Sequence, residues 1–131
     1  MTTDRYERGL ARLKEIDSGS AARITERLKD TAPDLARYII EFVFGEIYTR
    51  PGLDLKLREI VTVTATATLG YASRELKAHI NFALNVGCSR QEIVECLLQI
   101  AVYAGFPAAL NAISVAREVF LERDAQAGAA R

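Results

Sequence analysis

His79 is the only histidine in the chain, and imidazole is the side chain whose ordinary titration lies closest to neutrality, so proton transfer is sought there first. It falls within residues 73–86, whose apolar spacing is helical, with Leu76, Ile80, Ala83 and Leu84 on its side, which turns the ring toward the interior edge. Taken alone, a single histidine on such a face is more often structural than functional. Glu75 changes the balance. It stands one turn earlier on the same face, where a carboxylate can orient an imidazole and stabilise its protonated form. Glu75 is equally a favourable acid at a helix start.

A second group is compressed into residues 45–52, GEIYTRPG. Glu46 offers an acid, Tyr48 a hydroxyl donor and Arg50 a planar guanidinium able to clamp a carboxylate. The plain alternative is a polar surface turn with an ordinary ion pair. Arg58 and Glu59 make a third pair near the start of an otherwise apolar helix, either as site groups or as a solvent-facing end. Cys88 and Cys96 are eight residues apart and lack a second histidine, so they read as reduced thiols in a helical core rather than a zinc or redox site. No GxSxG, GxGxxG, Walker or HExxH template is present.

The elements that must position these groups are helices. Residues 6–16 are amphipathic, Ser20 can cap a segment to residue 29, and Pro33 suits the first turn of a helix over 34–45 with Leu35, Ile39, Phe42 and Val43 on one face. Residues 48–54 are a turn, and Asp54 is a good cap for the next element. The run VTVTATATL at 61–69 alternates like a strand but has no pairing partner elsewhere, and LKLRE before it favours continuing a helix. Ser73 caps a helix closed by Gly87, and Ser89 with Glu92 forms a capping box opening a helix to residue 104. A break at 105–107 precedes a final helix to about residue 123, with a frayed tail over 124–131.

The 131 residues suit one all-α domain, 1–131, able to bury roughly two thirds of its unfolded surface. Seventeen basic residues balance seventeen acidic ones, which gives no electrostatic reason for nucleic acid or an anionic membrane as partner. The charged N-terminus lacks a secretory pattern and polar residues interrupt the most apolar region, so a cytoplasmic location is expected. Residues 93–104 and 108–119 are apolar nearly all round and need covering on more than one side, which predicts a homo-oligomer with these helices at the interface.

FGEIYTRPGLDLKLRE at 44–59 and ELKAHINFALNVGCSRQEIVECLLQIAVYAGFPAALNA at 75–112, followed by AREVF, together resemble the carboxymuconolactone decarboxylases over about residues 33–120. The specific marks are GEIYTRPGLD, H-x5-N-x-G and Y-x-G-x-P-A. The resemblance implies a multi-helix bundle of the alkylhydroperoxidase D-like type, assembled as a trimer or hexamer. It implies decarboxylation of 4-carboxymuconolactone, a small carboxylated lactone, to the enol-lactone of β-ketoadipate in protocatechuate catabolism, with no metal or other cofactor. On this basis His79 is the expected acid or oxyanion donor, Glu75 or Glu46 its orienting carboxylate, Arg50 or Arg58 the anchor for the retained carboxylate, and Tyr48 a hydroxyl donor. Thiol peroxidases of the same superfamily carry C-x-x-C ahead of the histidine. Ala72 and Glu75 occupy those two positions here, so that chemistry lacks its thiolate. A related lactone- or small-acid-processing enzyme, or a non-catalytic helical oligomer that binds a small ligand, are the alternatives.

Overall fold

The computed structural model describes residues 3–129, and every element in them is helical. The elements fall into two compact units, residues 1–55 and 56–131.

The first unit contains α1 (Asp4–Ile16), α2 (Ser20–Leu28) and α3 (Pro33–Tyr38), the last continuing without a break into a π-helical segment, Ile39–Ile47. Thr3 caps α1 by accepting a hydrogen bond from the Tyr6 N–H. α2 includes Ser20 as its first residue, so Gly19 rather than Ser20 is its cap, and no side chain bonds there. Pro33 occupies the first turn of α3, where its missing N–H costs nothing.

Beyond Tyr38 the helix departs from expectation. A wider turn advances about 4.4 residues rather than 3.6, as the i→i−5 bond from the Tyr48 N–H to the Val43 carbonyl shows at 2.8 Å. The inward row therefore runs Ala36, Ile40, Phe44, Tyr48, all buried and four apart, while Leu35 and Phe42 are exposed. α1 packs on this segment at two glycines. A Cβ on Gly9 would run into the Ile40 carbonyl, and one on Gly45 into that of Arg5.

The second unit contains α4 (Leu55–Leu69), α5 (Ser73–Asn85), α6 (Arg90–Ala104) and α7 (Phe106–Ala129). VTVTATATL is helical, as read. Thr62, Thr64 and Thr66 return their hydroxyls to the carbonyls of Arg58, Ile60 and Thr62 at 2.8–2.9 Å. Their polar atoms are thereby satisfied within the helix. Glu59, Val63 and Ala67 form its buried row.

Ala72, not Ser73, is the N-cap of α5. Gly87 closes that helix at φ 104°, with Cys88 N–H bonding the Ala83 carbonyl at 2.9 Å and Gly87 N–H that of Leu84 at 3.3 Å. This pair of bonds is the Schellman arrangement. The Ser89–Glu92 capping box forms as predicted. Only Gly105, at φ 95°, separates α6 from α7.

α7 runs through Ala129, so residues 124–129 are helical rather than frayed; 130 and 131 lie outside the described residues. Asp124 is tied to Arg90 at 2.7 Å, which anchors that extension. The core joins Val63 and Ala67 to Leu76, Ile80 and Ala83, Ile93, Leu97 and Ile100, and Ala109, Ala112, Ala116 and Val119. The alanines of α7 let it approach its neighbours closely. No described helix is long and apolar enough to cross a membrane.

Candidate functional site

Within the second unit, α4 and α5 bring one carboxylate and the single imidazole together. His79 Nδ1 lies 2.7 Å from Glu59 Oε2, a distance at which a ring N–H donates to a carboxylate. The Glu59 side chain is 0% exposed and that of His79 16%. Phe82, one turn on, sets its ring edge-on against the imidazole with centroids 4.9 Å apart. Glu59 reaches this place because it stands four residues before Val63 on the buried row of α4.

The N-terminal end of that helix is held to the α5–α6 turn. Lys56 Nζ pairs with Glu92 at 3.2 Å, and the Cys88 thiol lies 3.7 Å from the Lys56 carbonyl. Glu59 Oε1 is also buried and accepts no hydrogen bond among the described residues. A carboxylate so enclosed is favourable only with a positive or proton-bearing neighbour. Arg58, the preceding residue, is half-buried with its Nε inside.

Three expectations are thereby revised. The carboxylate on Nδ1 belongs to Glu59, not Glu75, whose side chain is exposed. Glu46 is engaged differently: Arg5 Nε binds it at 2.8 Å and Arg8 at 3.3 Å. Glu59 is no solvent-facing helix end. The pairing was not legible in the sequence because twenty residues separate Glu59 from His79.

In the first unit Glu46 lies in the last turn of the π-helical segment, Tyr48 and Arg50 lie in the turn that follows it, and α1 holds both. Arg8 Nε donates to the Gly45 carbonyl at 3.4 Å, Arg12 Nε to that of Tyr48 at 2.8 Å, and the Thr49 hydroxyl to Gly45 O at 2.8 Å. Tyr48 is buried with its ring against Phe44, 4.9 Å between centroids, while Arg50 is exposed. The signal for this brace was the spacing of Arg5, Arg8 and Arg12, which places three guanidinium groups on one face of α1.

Burial pushes both thiols, Cys88 and Cys96, above the ordinary cysteine range, which disfavours the thiolate each would need as a nucleophile.

The described residues are thus an all-helical array with a histidine bound to a buried carboxylate and with Ala72 and Glu75, not thiols, ahead of it. Residues 33–118 match the model of the carboxymuconolactone decarboxylase family, and the chain belongs to that family. It is 35% identical over 117 residues to a 4-carboxymuconolactone decarboxylase of Acinetobacter baylyi, covering 88% of this chain and 87% of that protein. An uncharacterized 15.0 kDa protein of Paracoccus denitrificans is 33% identical over 103 residues, 78% of this chain and 75% of its own. A nitrosuccinic acid decarboxylase of Metarhizium robertsii is 37% identical over 81 residues, 61% of this chain and 55% of its own.

Proposed function

We propose that this protein is a cofactor-independent decarboxylase acting on 4-carboxymuconolactone, with His79 as the proton donor and Glu59 as the group that orients it. The observation that carries this reading is the 2.7 Å contact between a fully buried carboxylate and the chain's one imidazole. The similarity to the Acinetobacter baylyi enzyme over most of both chains supports the choice of substrate.

The substrate's own electronics make the chemistry economical. The carboxylate leaves from the γ-carbon of an unsaturated lactone as CO2, and the bonding pair moves through the ring double bond onto the lactone carbonyl. The enzyme must stabilise that oxyanion and return a proton to ring carbon. With Nδ1 bound to Glu59, the opposite ring nitrogen, Nε2, is the one that delivers the proton, and Glu59 balances the charge of the protonated ring. Arg58, on the same helix as Glu59, holds the retained carboxylate. Glu75 and Glu46 take no part in the transfer.

A second reading draws on the Metarhizium robertsii relative. In nitrosuccinate, too, the electrons of the departing carboxylate pass to an acceptor group and a second carboxylate is retained. Assay of the purified protein against both acids separates the readings. Loss of 4-carboxymuconolactone with release of CO2 supports the first; turnover of nitrosuccinate alone overturns it.

A further inference from the structure

Lys77, Asn81 and Asn85 follow at four-residue spacing along α5, a row on the far side of the helix from His79. α7 holds this row throughout. Lys77 Nζ donates to Glu118 Oε1 at 3.0 Å and to Glu122 Oε1 at 2.9 Å.

Arg123, half-buried, makes three further bonds. Its Nε donates to Asn81 Oδ1 at 2.9 Å, and one terminal nitrogen donates both to the Asn81 carbonyl at 2.9 Å and to Asn85 Oδ1 at 2.7 Å. The Asn81 amide is fixed from the other side as well, its Nδ2 donating to the Lys77 carbonyl at 3.2 Å. A guanidinium chelates the side-chain and main-chain oxygens of one residue through its fixed fork, which an ammonium cannot do. Asn85 is also the asparagine of the H-x5-N-x-G motif, so this contact gives that motif residue a task.

We propose that Arg123 is a positioning residue for His79: by gripping Asn81 and Asn85 it fixes the rotation of α5 about its axis and keeps the imidazole on Glu59. The lever is short and sensitive. A side-chain atom about 6 Å from a helix axis moves about 1 Å when the helix turns by about 10°. Directed away from Glu59, that displacement takes a 2.7 Å bond beyond hydrogen-bonding distance. Misplacement of a catalytic group by about 1 Å lowers rates by up to ~10²-fold. The consequence for turnover rests on the proposed role of His79; the consequence for the ring's geometry does not.

The single histidine makes the test direct, because a proton–nitrogen correlation spectrum of the imidazole contains one ring. In the wild-type protein the spectrum should show one fixed tautomer with Nδ1 protonated and hydrogen-bonded. Arg123→Gln should replace it with shifted or tautomer-averaged signals and lower kcat on 4-carboxymuconolactone by about 10- to 100-fold, with KM within about twofold. Arg123→Lys should not restore the signal. Lys77→Met, which removes ion pairs of the same seam but leaves the chelate, should retain the wild-type spectrum and kcat.

A helical Arg123→Gln protein with the wild-type ring spectrum overturns the proposal, as does a Lys77→Met protein altered to the same degree. Should Arg123→Gln not fold, Asn85→Ala removes a single bond and is judged on the same signal. If the wild-type protein does not turn over the lactone, the proposed function fails, and the ring spectrum still decides the role of Arg123.

Discussion

At His79 and Glu59, substitutions of graded severity separate chemistry from packing. His79→Ala removes the acid and should lower kcat on the lactone by ~10²–10⁴-fold. Glu59→Gln keeps the shape and an acceptor oxygen but not the charge, and should cost kcat about 10²-fold while leaving KM little changed. Steady-state kinetics on both variants checks this, and near wild-type turnover in either contradicts it. The histidine was legible in the sequence because it is unique and sits on an apolar helical face. Its partner was not, because a buried acid and a solvent-facing one look alike until the register of α4 is fixed. Glu75 occupied the nearer position, one turn away, and its side chain points into solvent instead.

The helices themselves were largely readable, for reasons that differ from one to the next. Gly87 and the Ser89–Glu92 box act through local backbone geometry, so their signals survive folding unchanged. The threonines of α4 satisfy their hydroxyls internally, and burial of Val63 and Ala67 outweighs their preference for strands. The π-helical stretch was not readable, since its inward row follows a period no α-helical template contains.

That stretch rests on bare backbone contact with α1. Gly9→Ala should therefore cost about 1–3 kcal/mol through displaced backbone, whereas Gly52→Ala, with nothing near its added Cβ, should stay within about 0.5 kcal/mol. Urea unfolding of the two proteins measures the difference.

The capping box carries a pH signature. The Ser89 N–H, and then Lys56, hold Glu92 below its usual value of 4.5. Its stabilisation is complete above that value and is lost as pH falls through the depressed one. The melting-temperature gap between wild type and Glu92→Gln should thus be constant near neutrality and close as the pH drops below 4.5. A gap independent of pH contradicts this assignment.

For the whole molecule, the sequence identified an all-helical chain and its family, whose match begins at residue 33. The brace that α1 supplies to residues 45–48 was marked only by the spacing of Arg5, Arg8 and Arg12, which lie outside the recognisable motifs. The outer face of α6 and the start of α7 leave Val102 (78% exposed), Tyr103 (83%), Phe106 (76%) and Leu110 uncovered. We propose that copies of the chain cover this surface in a trimer or hexamer, since a contiguous apolar patch of this kind commonly marks an interface. Light scattering at micromolar concentration should return a multiple of the protomer mass, and a stable monomer would refute the assembly.

The most direct test of the decarboxylase reading is a single assay of the purified protein with 4-carboxymuconolactone, without added metal or cofactor, following CO2 release. Turnover by the wild-type protein, reduced by ~10²–10⁴-fold in His79→Ala, is the predicted result. Absence of CO2 release by the wild type, or equal release by the His79→Ala protein, would contradict it.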